Sequence, residues 1–300
     1  MAIAHGMTKL LMREGKRENY SGHVLTIGKQ EVNETTPQDL QGWAREMDFQ
    51  LNPIAESFFS DKRFIKNSYI TDTALFLSLG FDNLDSVDYS DFEQCTITHD
   101  LNVDVPARLH NKYDLIVDVG TSEHIFNFPK VLENYNKMLK VGGRIIHGLP
   151  SSNHVDHGFY MFSPTLFRDY YSANNWEIKD SLFFRYSRIL EGLWDIYEYT
   201  PGCLDRFSFG GLNNGLYGVF FVVKKTDKST FNASVQQGLY LKKWKAGLNS
   251  ESIKPRPSNP LKKIITAAIP KRVRLLRYYL KDYIWSKVPL RFYLKNIGRY

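Results

Sequence analysis

Cysteine is scarce in this chain, with Cys95 and Cys203 the only two among 300 residues. Two cysteines cannot build a disulfide scaffold or a four-cysteine zinc site. Long apolar runs are lacking as well, because the longest, near residues 216–223, is far shorter than the roughly 18 residues of a membrane-spanning helix. Residues 1–17 have no apolar core long enough for a signal peptide. We therefore expect a soluble, cytoplasmic protein.

Glycine-rich phosphate loops are also absent. A dinucleotide-binding fold uses three glycines after its first strand, so that a pyrophosphate can approach the backbone and the helix N-terminus. Here the strand predicted at residues 23–28 is followed by a turn with one glycine, Gly28, and the pattern G-x-x-x-x-G-K-[ST] does not occur. A phosphate-free adenosine ligand needs less of such a loop and stays compatible with this turn.

Acidic residues are rare near the carboxyl-terminal end. Residues 241–300 hold 16 lysines and arginines but two acids, a net charge of +14, whereas the first 240 residues carry −7. Prolines and serines interrupt the apolar pattern at residues 250–260, as in a linker. We predict a body over residues 1–249, a linker over 250–260 and a basic tail over 261–300.

The body alternates short apolar strands with helical patterns, and its 43% hydrophobic residues suffice for a large core. This alternation predicts an α/β fold, an open, mostly parallel Rossmann-like sheet with helices on both faces. The predicted strands are 23–28, 84–88, 95–100, 113–120, 144–150, 176–187 and 216–225. The predicted helices begin near Thr36 and span 71–81, 128–143 and 163–175.

Ligands of such a sheet bind at the carboxyl ends of the strands, near the point where strand order reverses. This rule selects Gly28, Asp88, Asp100, residues 120–124 and residues 150–157. Asp88 could accept both hydroxyls of a ribose, and Asp100 could accept from an adenine amine. Either aspartate could instead be a turn residue or a helix cap.

The segment 113–150, YDLIVDVGTSEHIFNFPKVLENYNKMLKVGGRIIHGLP, resembles the class I S-adenosylmethionine-dependent methyltransferases. It is similar to the fourth strand, the following Glu-His segment, a helix, a Gly-Gly turn and the fifth strand of that family. The resemblance covers roughly residues 20–225 and implies S-adenosyl-L-methionine as cofactor. It departs from the family in its single first-loop glycine and in the short connection between the second and third strands. The cofactor-binding residues that it implies are Gly28, Asp88, Asp100, Leu101, Asp118 and Gly120.

Histidines near the same sheet edge are candidates for catalysis. Methylation of a hydroxyl requires removal of its proton, and a histidine of near-neutral pKa does this well. We predict His157 as the first candidate base and His124 as the second, while Glu123 could contact the substrate or favour the following helix N-terminus. The pattern His154-x-x-His157 has no recognised zinc spacing with a third ligand nearby, so no metal site is predicted.

Two function classes follow. The first is a methyltransferase acting on a small molecule, a glycan or a nucleotide-sugar, as in polysaccharide biosynthesis, with O-methylation assisted by a histidine base. The alternative is an inactive methyltransferase-like binding or scaffold protein, motivated by the reduced glycine loop. Fold alone does not decide between them.

The basic tail raises a separate question of partners. Within residues 261–295, apolar side chains recur at helical spacing while basic residues occupy the other faces. Such a helix could lie on an anionic membrane surface, which would make the protein peripheral to the membrane. It could instead pack on the acidic body or on a partner subunit of an oligomer. Nucleic acid is disfavoured, because RNA-stacking and groove-reading motifs are absent. The apolar positions are Val273, Leu276, Leu280, Tyr283 and Ile284.

Overall fold

A computed structural model describes residues 2–33, 35–187, 193–208, 210–248 and 290–300. The helices are α1 (His5–Arg17), α2 (Pro37–Glu46), α3 (Ala55–Ser60), α4 (Asp72–Leu79), α5 (Phe128–Met138), α6 (Pro164–Ala173) and α7 (Gly238–Leu248). The strands are β1 (Ala2–Ile3), β2 (His23–Ile27), β3 (Glu31–Val32), β4 (Ile65–Lys66), β5 (Tyr69–Ile70), β6 (Asn83–Asp88), β7 (Ile97–Thr98), β8 (Tyr113–Val119), β9 (Leu139–Pro150), β10 (Glu177–Tyr186), β11 (Asp195–Glu198), β12 (Leu216–Lys224) and β13 (Asn296–Arg299). Short 3₁₀ helices span Ala107–Leu109, Ser122–His124, Asp205–Phe207 and Leu290–Phe292.

Nine strands form one open sheet in the order β13-β11-β10-β12-β9-β8-β2-β6-β7. The chain builds outward from β2 through β6 to β7, then returns to the other side of β2 with β8 and β9. Strand order therefore reverses between β2 and β8, as in doubly wound sheets. The predicted α/β class and the open sheet are confirmed.

The prediction of a mostly parallel sheet is wrong for half of the strand pairs. The five strands from β7 to β9 are parallel, but β12 runs antiparallel between β9 and β10, and β11 and β13 continue antiparallel. No helix lies between β10 and β11 among the residues described there, and strands joined without a crossover connection pair antiparallel.

Helices cover both faces of the sheet, as expected. On one face α5 and α6 pack on inward side chains of the parallel strands, among them Leu25 and Ile116. On the other face α1, α2 and α4 pack on their neighbours in sequence, Val24 and Leu115. Successive residues of a buried strand thus serve opposite layers, which explains why the strands read as unbroken apolar runs.

Local capping places the helix starts close to their predicted positions. The Thr36 hydroxyl accepts from the Asp39 amide while Asp39 accepts from the Thr36 amide, which forms a capping box at α2. The Thr71 hydroxyl caps α4, which ends at Gly80 in the left-handed conformation. The Ser163 hydroxyl caps α6 by accepting from the Thr165 amide.

Helix α5 ends at Met138 and not at the Gly142–Gly143 pair that the sequence predicts as its stop. Two long-range contacts terminate it early. The Lys112 amide donates to the Met138 carbonyl, and the buried ammonium of Lys225 donates to the carbonyls of Asn136 and Leu139. With its last carbonyls satisfied in this way, the chain continues directly as β9.

The carboxyl-terminal residues return to the body. The predicted linker at 250–260 lies outside the described residues. So does the helix predicted over 261–295, up to residue 289. Residues 290–300, which the sequence assigns to the helical tail, contain instead a 3₁₀ turn and β13, the edge strand beside β11. Strand pairing with a distant partner overrides the local pattern here. Within the described ranges, no helix combines the length and apolarity that crossing a membrane requires.

A buried ion pair fastens α1 to the sheet. Arg144 on β9 donates from Nη1 to Glu14 Oε1 at 2.8 Å, and both side chains are at most 8% exposed. Burial raises the pKa of Glu14 even with the guanidinium beside it. A buried carboxylate that loses its cation destabilises the folded state. The protein is therefore more stable with the intact pair than with either charged partner alone.

We expect Arg144→Met to lower the free energy of unfolding by about 3–5 kcal/mol, because Glu14 stays buried without its hydrogen-bonded cation. Lys140→Met is the matched control: its ion pair with Asp114 is solvent-exposed and should contribute less than about 1 kcal/mol. Urea unfolding measures both. The double variant Glu14→Gln/Arg144→Met should recover part of the loss; a double variant no better than Arg144→Met would contradict the ion-pair explanation.

Candidate functional site

Two glycines flank the point where strand order reverses. Gly28 follows β2 and Gly120 follows β8, and both have left-handed backbones, with φ of +74° and +70°. The loops are tied together because the Thr121 hydroxyl donates to the Ile27 carbonyl. The Gly28 amide also donates to the Val87 carbonyl of β6 at 2.7 Å. The crevice at these strand ends is where doubly wound sheets bind their ligands.

Asp88 lies at the end of β6, directly beside the Gly28 loop. Its Oδ2 accepts from the Lys29 amide at 3.2 Å and its Oδ1 from the Tyr89 amide at 2.7 Å. A carboxylate has about four acceptor positions, so both oxygens keep capacity for further donors. The structure therefore brings Gly28 and Asp88 together, in an arrangement that could accept the two hydroxyls of a ribose.

Asp100 and Leu101 follow β7 and are fixed by the turn that contains them. Asp100 Oδ1 accepts from both the amide and the side chain of Asn102 at 2.8 Å. Leu101 is buried, and its carbonyl accepts from Asn134 of α5. One carboxylate oxygen of Asp100 thus stabilises the turn, as the alternative of a turn residue predicts. The Leu101 side chain packs in the core.

The first loop does not lead straight into a helix. After Gly28 the chain forms β3, which pairs with β1 near the amino terminus, and α2 begins only at Pro37. Within the described residues the Gly28 loop therefore does not run directly into a helix N-terminus of the kind that holds a pyrophosphate. This geometry agrees with the absence of the three-glycine pattern.

Asp118 lies beneath the site and not on its surface. Its side chain is fully buried, and its oxygens accept from the hydroxyl of Ser122 at 2.5 Å and from the Ser122 amide at 3.3 Å. His147 Nδ1 lies 3.1 Å from the same carboxylate, and its Nε2 lies 2.6 Å from the Tyr171 hydroxyl. These internal partners occupy the carboxylate, which positions the Ser122–His124 turn, and the cofactor contact implied by the resemblance stays a prediction.

Glu123, His124 and His157 converge beside the crevice, and we call them the carboxylate–histidine cluster. Glu123 Oε1 lies 3.6 Å from His157 Nε2 and 3.8 Å from His124 Nε2, and the two imidazole centroids are 5.1 Å apart. The Glu123 side chain is 1% exposed, whereas His124 and His157 are 41% and 54% exposed. The predicted catalytic residues are thus brought together, with the acid inside and the bases outside.

The loop 151–162 is held against Glu123 through its backbone. The Glu123 carbonyl accepts from the amides of Phe159 and Tyr160 at 2.8 and 3.2 Å. Gly158 permits this close approach, since a Cβ there would lie 2.9 Å from the Glu123 carbonyl oxygen. His154 does not join the cluster, because its Nε2 is hydrogen-bonded to the Tyr186 hydroxyl at 3.1 Å.

Among the residues that the structure describes, neither carboxyl oxygen of Glu123 has a hydrogen-bond partner, since both histidines are too distant for a hydrogen bond. Burial, with a smaller contribution from Asp118, raises the pKa of Glu123 to about 8. Burial and the neighbouring His157 lower the pKa of His124. Around neutral pH the cluster therefore holds an uncharged carboxyl and an uncharged His124.

The same three side chains could hold a metal ion, because their ligand atoms all lie within 4.8 Å of one another. The sequence predicts no metal site, since it considers the pair His154 and His157 and finds no third ligand nearby. In the structure, the three side chains that could bind a metal ion come from two different loops. The sequence signal for this group was a Glu-His dipeptide after one strand, together with a histidine after the next strand of the sheet.

Exposed apolar side chains surround the cluster. Phe126 and Phe159 are 71% and 65% exposed and meet edge to face at 5.6 Å, and Val155 and Met161 lie on the same loop as Phe159. An exposed apolar patch beside polar catalytic groups is typical of a ligand-binding surface. Trp194, a further aromatic of the sequence, packs instead on Phe184 in the core.

Structural neighbours across most of the chain are S-adenosylmethionine-dependent methyltransferases. One from Archaeoglobus fulgidus is 12% identical, with a TM-score of 0.37, covering 73% of this chain and 94% of that chain. A phosphoethanolamine N-methyltransferase 2 of Haemonchus contortus, solved with S-adenosylhomocysteine, is 10% identical, with a TM-score of 0.36, covering 73% and 52%. These similarities concern the fold. No family model matches the chain, and no curated protein matches it.

Replacing Glu123 by glutamine should stabilise the protein, increasingly so as pH rises from about 4.5 towards about 8. The folded state keeps the Glu123 proton over this range whereas the unfolded chain releases it, so wild-type stability falls with pH while glutamine does not titrate. Thermal unfolding in chelating buffer at about pH 5.5, 7 and 8.5 measures the gap, with roughly 2–4 °C for each kcal/mol. A gap that does not change with pH would contradict the burial of this carboxyl.

Proposed function

We propose that the chain is an S-adenosyl-L-methionine-dependent methyltransferase that methylates a hydroxyl of a small molecule or glycan. One observation carries the proposal: the crevice at the β2/β8 reversal has Asp88 and Gly28 at one flank and the carboxylate–histidine cluster at the other. Adenosine hydroxyls would bind at the first flank and the acceptor at the second. In the described residues the glycine loop runs into β3 and not directly into a helix, which suits a cofactor without phosphate.

The transfer is a single displacement. A lone pair of the acceptor oxygen forms the new C–O bond as the C–S bond breaks, and that electron pair stays on sulfur, which gives S-adenosylhomocysteine and a methyl ether. The hydroxyl proton passes to a histidine, His157 first and His124 second in our assignment. Because the sulfonium is already activated, most of the rate comes from holding donor and acceptor in line.

The surroundings of the cluster support a cyclic, partly apolar acceptor. Phe126 and Phe159 present exposed aromatic faces beside His157, on which the C–H face of a sugar ring could rest. The half-exposed histidines could meet a hydroxyl at the edge of that ring. A glycan or nucleotide-sugar acceptor is therefore favoured over an unbranched apolar one.

Asp88→Ala should weaken S-adenosylmethionine binding by about 1.5–3 kcal/mol, roughly 10- to 150-fold in Kd, because a charged acceptor of two ribose hydroxyls is lost. Asp91→Ala removes the same charge from the exposed part of the same loop and should bind like wild type. Calorimetry with S-adenosylmethionine and S-adenosylhomocysteine measures both. Gly28→Val should also weaken binding, because a β-branched residue is strained at a φ of +74°.

If the wild type binds neither compound, the methyltransferase proposal fails and the alternative of a binding or scaffold protein is favoured. If Asp88→Ala and Gly28→Val stay folded and bind like wild type, the cofactor site lies elsewhere.

His157→Ala should lower turnover by about 10²- to 10⁴-fold while leaving cofactor affinity nearly unchanged, because it removes the base but no cofactor contact. The readout is S-adenosylhomocysteine released in the presence of glycan and phenolic acceptors. His154→Ala is the matched control from the same loop: its ring lies 5.7 Å from that of His157, but its Nε2 is hydrogen-bonded to Tyr186 and it is not one of the three convergent side chains. An equal loss of cofactor affinity in His157→Ala would identify a binding residue, and unchanged turnover would move the base to His124.

A further inference from the structure

We infer that Glu123, His124 and His157 form a binding site for a divalent transition-metal ion, with Zn²⁺ as its best probe. The three ligand atoms, one carboxylate oxygen and two imidazole nitrogens, lie within 4.8 Å of one another. They are supplied by two loops, the turn after β8 and the loop after β9, which hydrogen bonds to the Glu123 carbonyl hold together.

The distances fit a shared ion better than direct contact. Zinc lies about 2.0–2.2 Å from carboxylate oxygen and imidazole nitrogen, so two ligands of a tetrahedral site are about 3.4 Å apart. Glu123 Oε1 is 3.6 Å from His157 Nε2 and 3.8 Å from His124 Nε2. These separations are too long for hydrogen bonds, yet within a few tenths of an ångström of two edges of a coordination tetrahedron.

Glu123 provides an independent observation. Its side chain is 1% exposed and faces both histidines, and neither oxygen has a hydrogen-bond partner within the described ranges. A buried carboxyl without partners is costly, and buried acidic groups in proteins are normally paired or coordinate a metal. The loop that carries His157 approaches Glu123 closely enough that Gly158 has no room for a Cβ. A bound cation would supply the partner that this closely packed acid lacks.

The ligand set selects the class of ion. Two imidazoles and one carboxylate suit Zn²⁺ or Fe²⁺, whereas Mg²⁺ and Ca²⁺ prefer oxygen ligands throughout. Three protein ligands leave a coordination position open, as in catalytic zinc sites. Here the open side is that of the half-exposed histidines, towards the exposed Phe126 and Phe159. A water or an acceptor oxygen could therefore complete the shell.

The consequence for catalysis rests on the proposed function, because an acceptor hydroxyl at this open position would become more acidic beside a divalent cation. Binding of the ion does not depend on that function. The two can be measured separately on one preparation.

The test is a calorimetric titration of the chelator-treated full-length protein with Zn²⁺ alone. We expect one ion per chain, and affinity at least tenfold weaker in His157→Ala and in Glu123→Gln. His154→Ala is the matched control and should bind Zn²⁺ like wild type, since His154 belongs to the same loop but bonds to Tyr186. Zn²⁺ should also raise the Tm of wild type and His154→Ala, but not that of His157→Ala.

Two results would overturn the inference: a wild type that binds no Zn²⁺ near one ion per chain, or equal affinity in all three variants, which would identify ordinary surface histidines. Metal-free unfolding curves check that each variant folds, and if Glu123→Gln does not fold, His157→Ala decides. S-adenosylmethionine titrated into the metal-free protein separates the two proposals. Binding of the cofactor without Zn²⁺ binding overturns only the metal site, and the reverse overturns only the methyltransferase assignment.

Discussion

The buried carboxylate of Asp118 determines where the functional groups lie. It is the second-to-last residue of β8 and accepts from both the amide and the hydroxyl of Ser122, so that the next residues form a tight 3₁₀ turn. That turn presents the Glu123 carbonyl to the amides of Phe159 and Tyr160. The loop that carries His157 is therefore placed by a chain of hydrogen bonds that begins inside the core, on a rigid strand, as precise sites require.

Asp118 and Glu123 are both buried and only five residues apart, yet their surroundings differ. Asp118 is satisfied by Ser122 and by His147, whose far nitrogen meets Tyr171. The carboxyl group of Glu123 has no hydrogen-bond partner in the part of the chain that the structure describes. A hydrogen-bond network in which every polar group has a partner stabilises the fold and fixes the positions of its side chains. A buried acid without a partner lowers stability and is retained where function needs it. On this contrast rests our proposal that Asp118 supports the site and that Glu123 acts in it.

Sequence reasoning succeeds where structure is decided locally. The capping pair Thr36 and Asp39 and the apolar run of β8 each predict their element, and the strand ends then identify Asp88 and the Glu123–His124 segment. It fails where distant contacts decide. Helix α5 ends early because Lys225 reaches its last carbonyls, and β13 forms because β11 offers an open edge.

The sequence predicts which residues belong to the candidate site, but not how they are arranged in space. Spacing within one loop groups His154 with His157. In the structure, however, the Nε2 atom of His154 is hydrogen-bonded to the Tyr186 hydroxyl. The true neighbours of His157 come from a turn more than 30 residues earlier, and only the parallel pairing of β8 with β9 brings them together. Likewise the hydrogen bonding that distinguishes Asp118 from Glu123 depends on His147 of β9 and Tyr171 of α6, which no local pattern brings together.

A base and a metal ligand make opposite demands on the same atom. The lone pair of His157 Nε2 can accept a proton or coordinate a cation, but not both at once. With an ion held by all three members of the cluster, neither histidine is free at the nitrogen that faces Glu123, and Glu123 is itself a ligand. The acceptor proton must then leave towards solvent, which the 54% exposure of His157 permits. Without an ion, His157 is the group best placed to take it. In the proposed reaction, the occupancy of the cluster therefore determines which of two routes removes the proton, while the methyl transfer itself is the same in both.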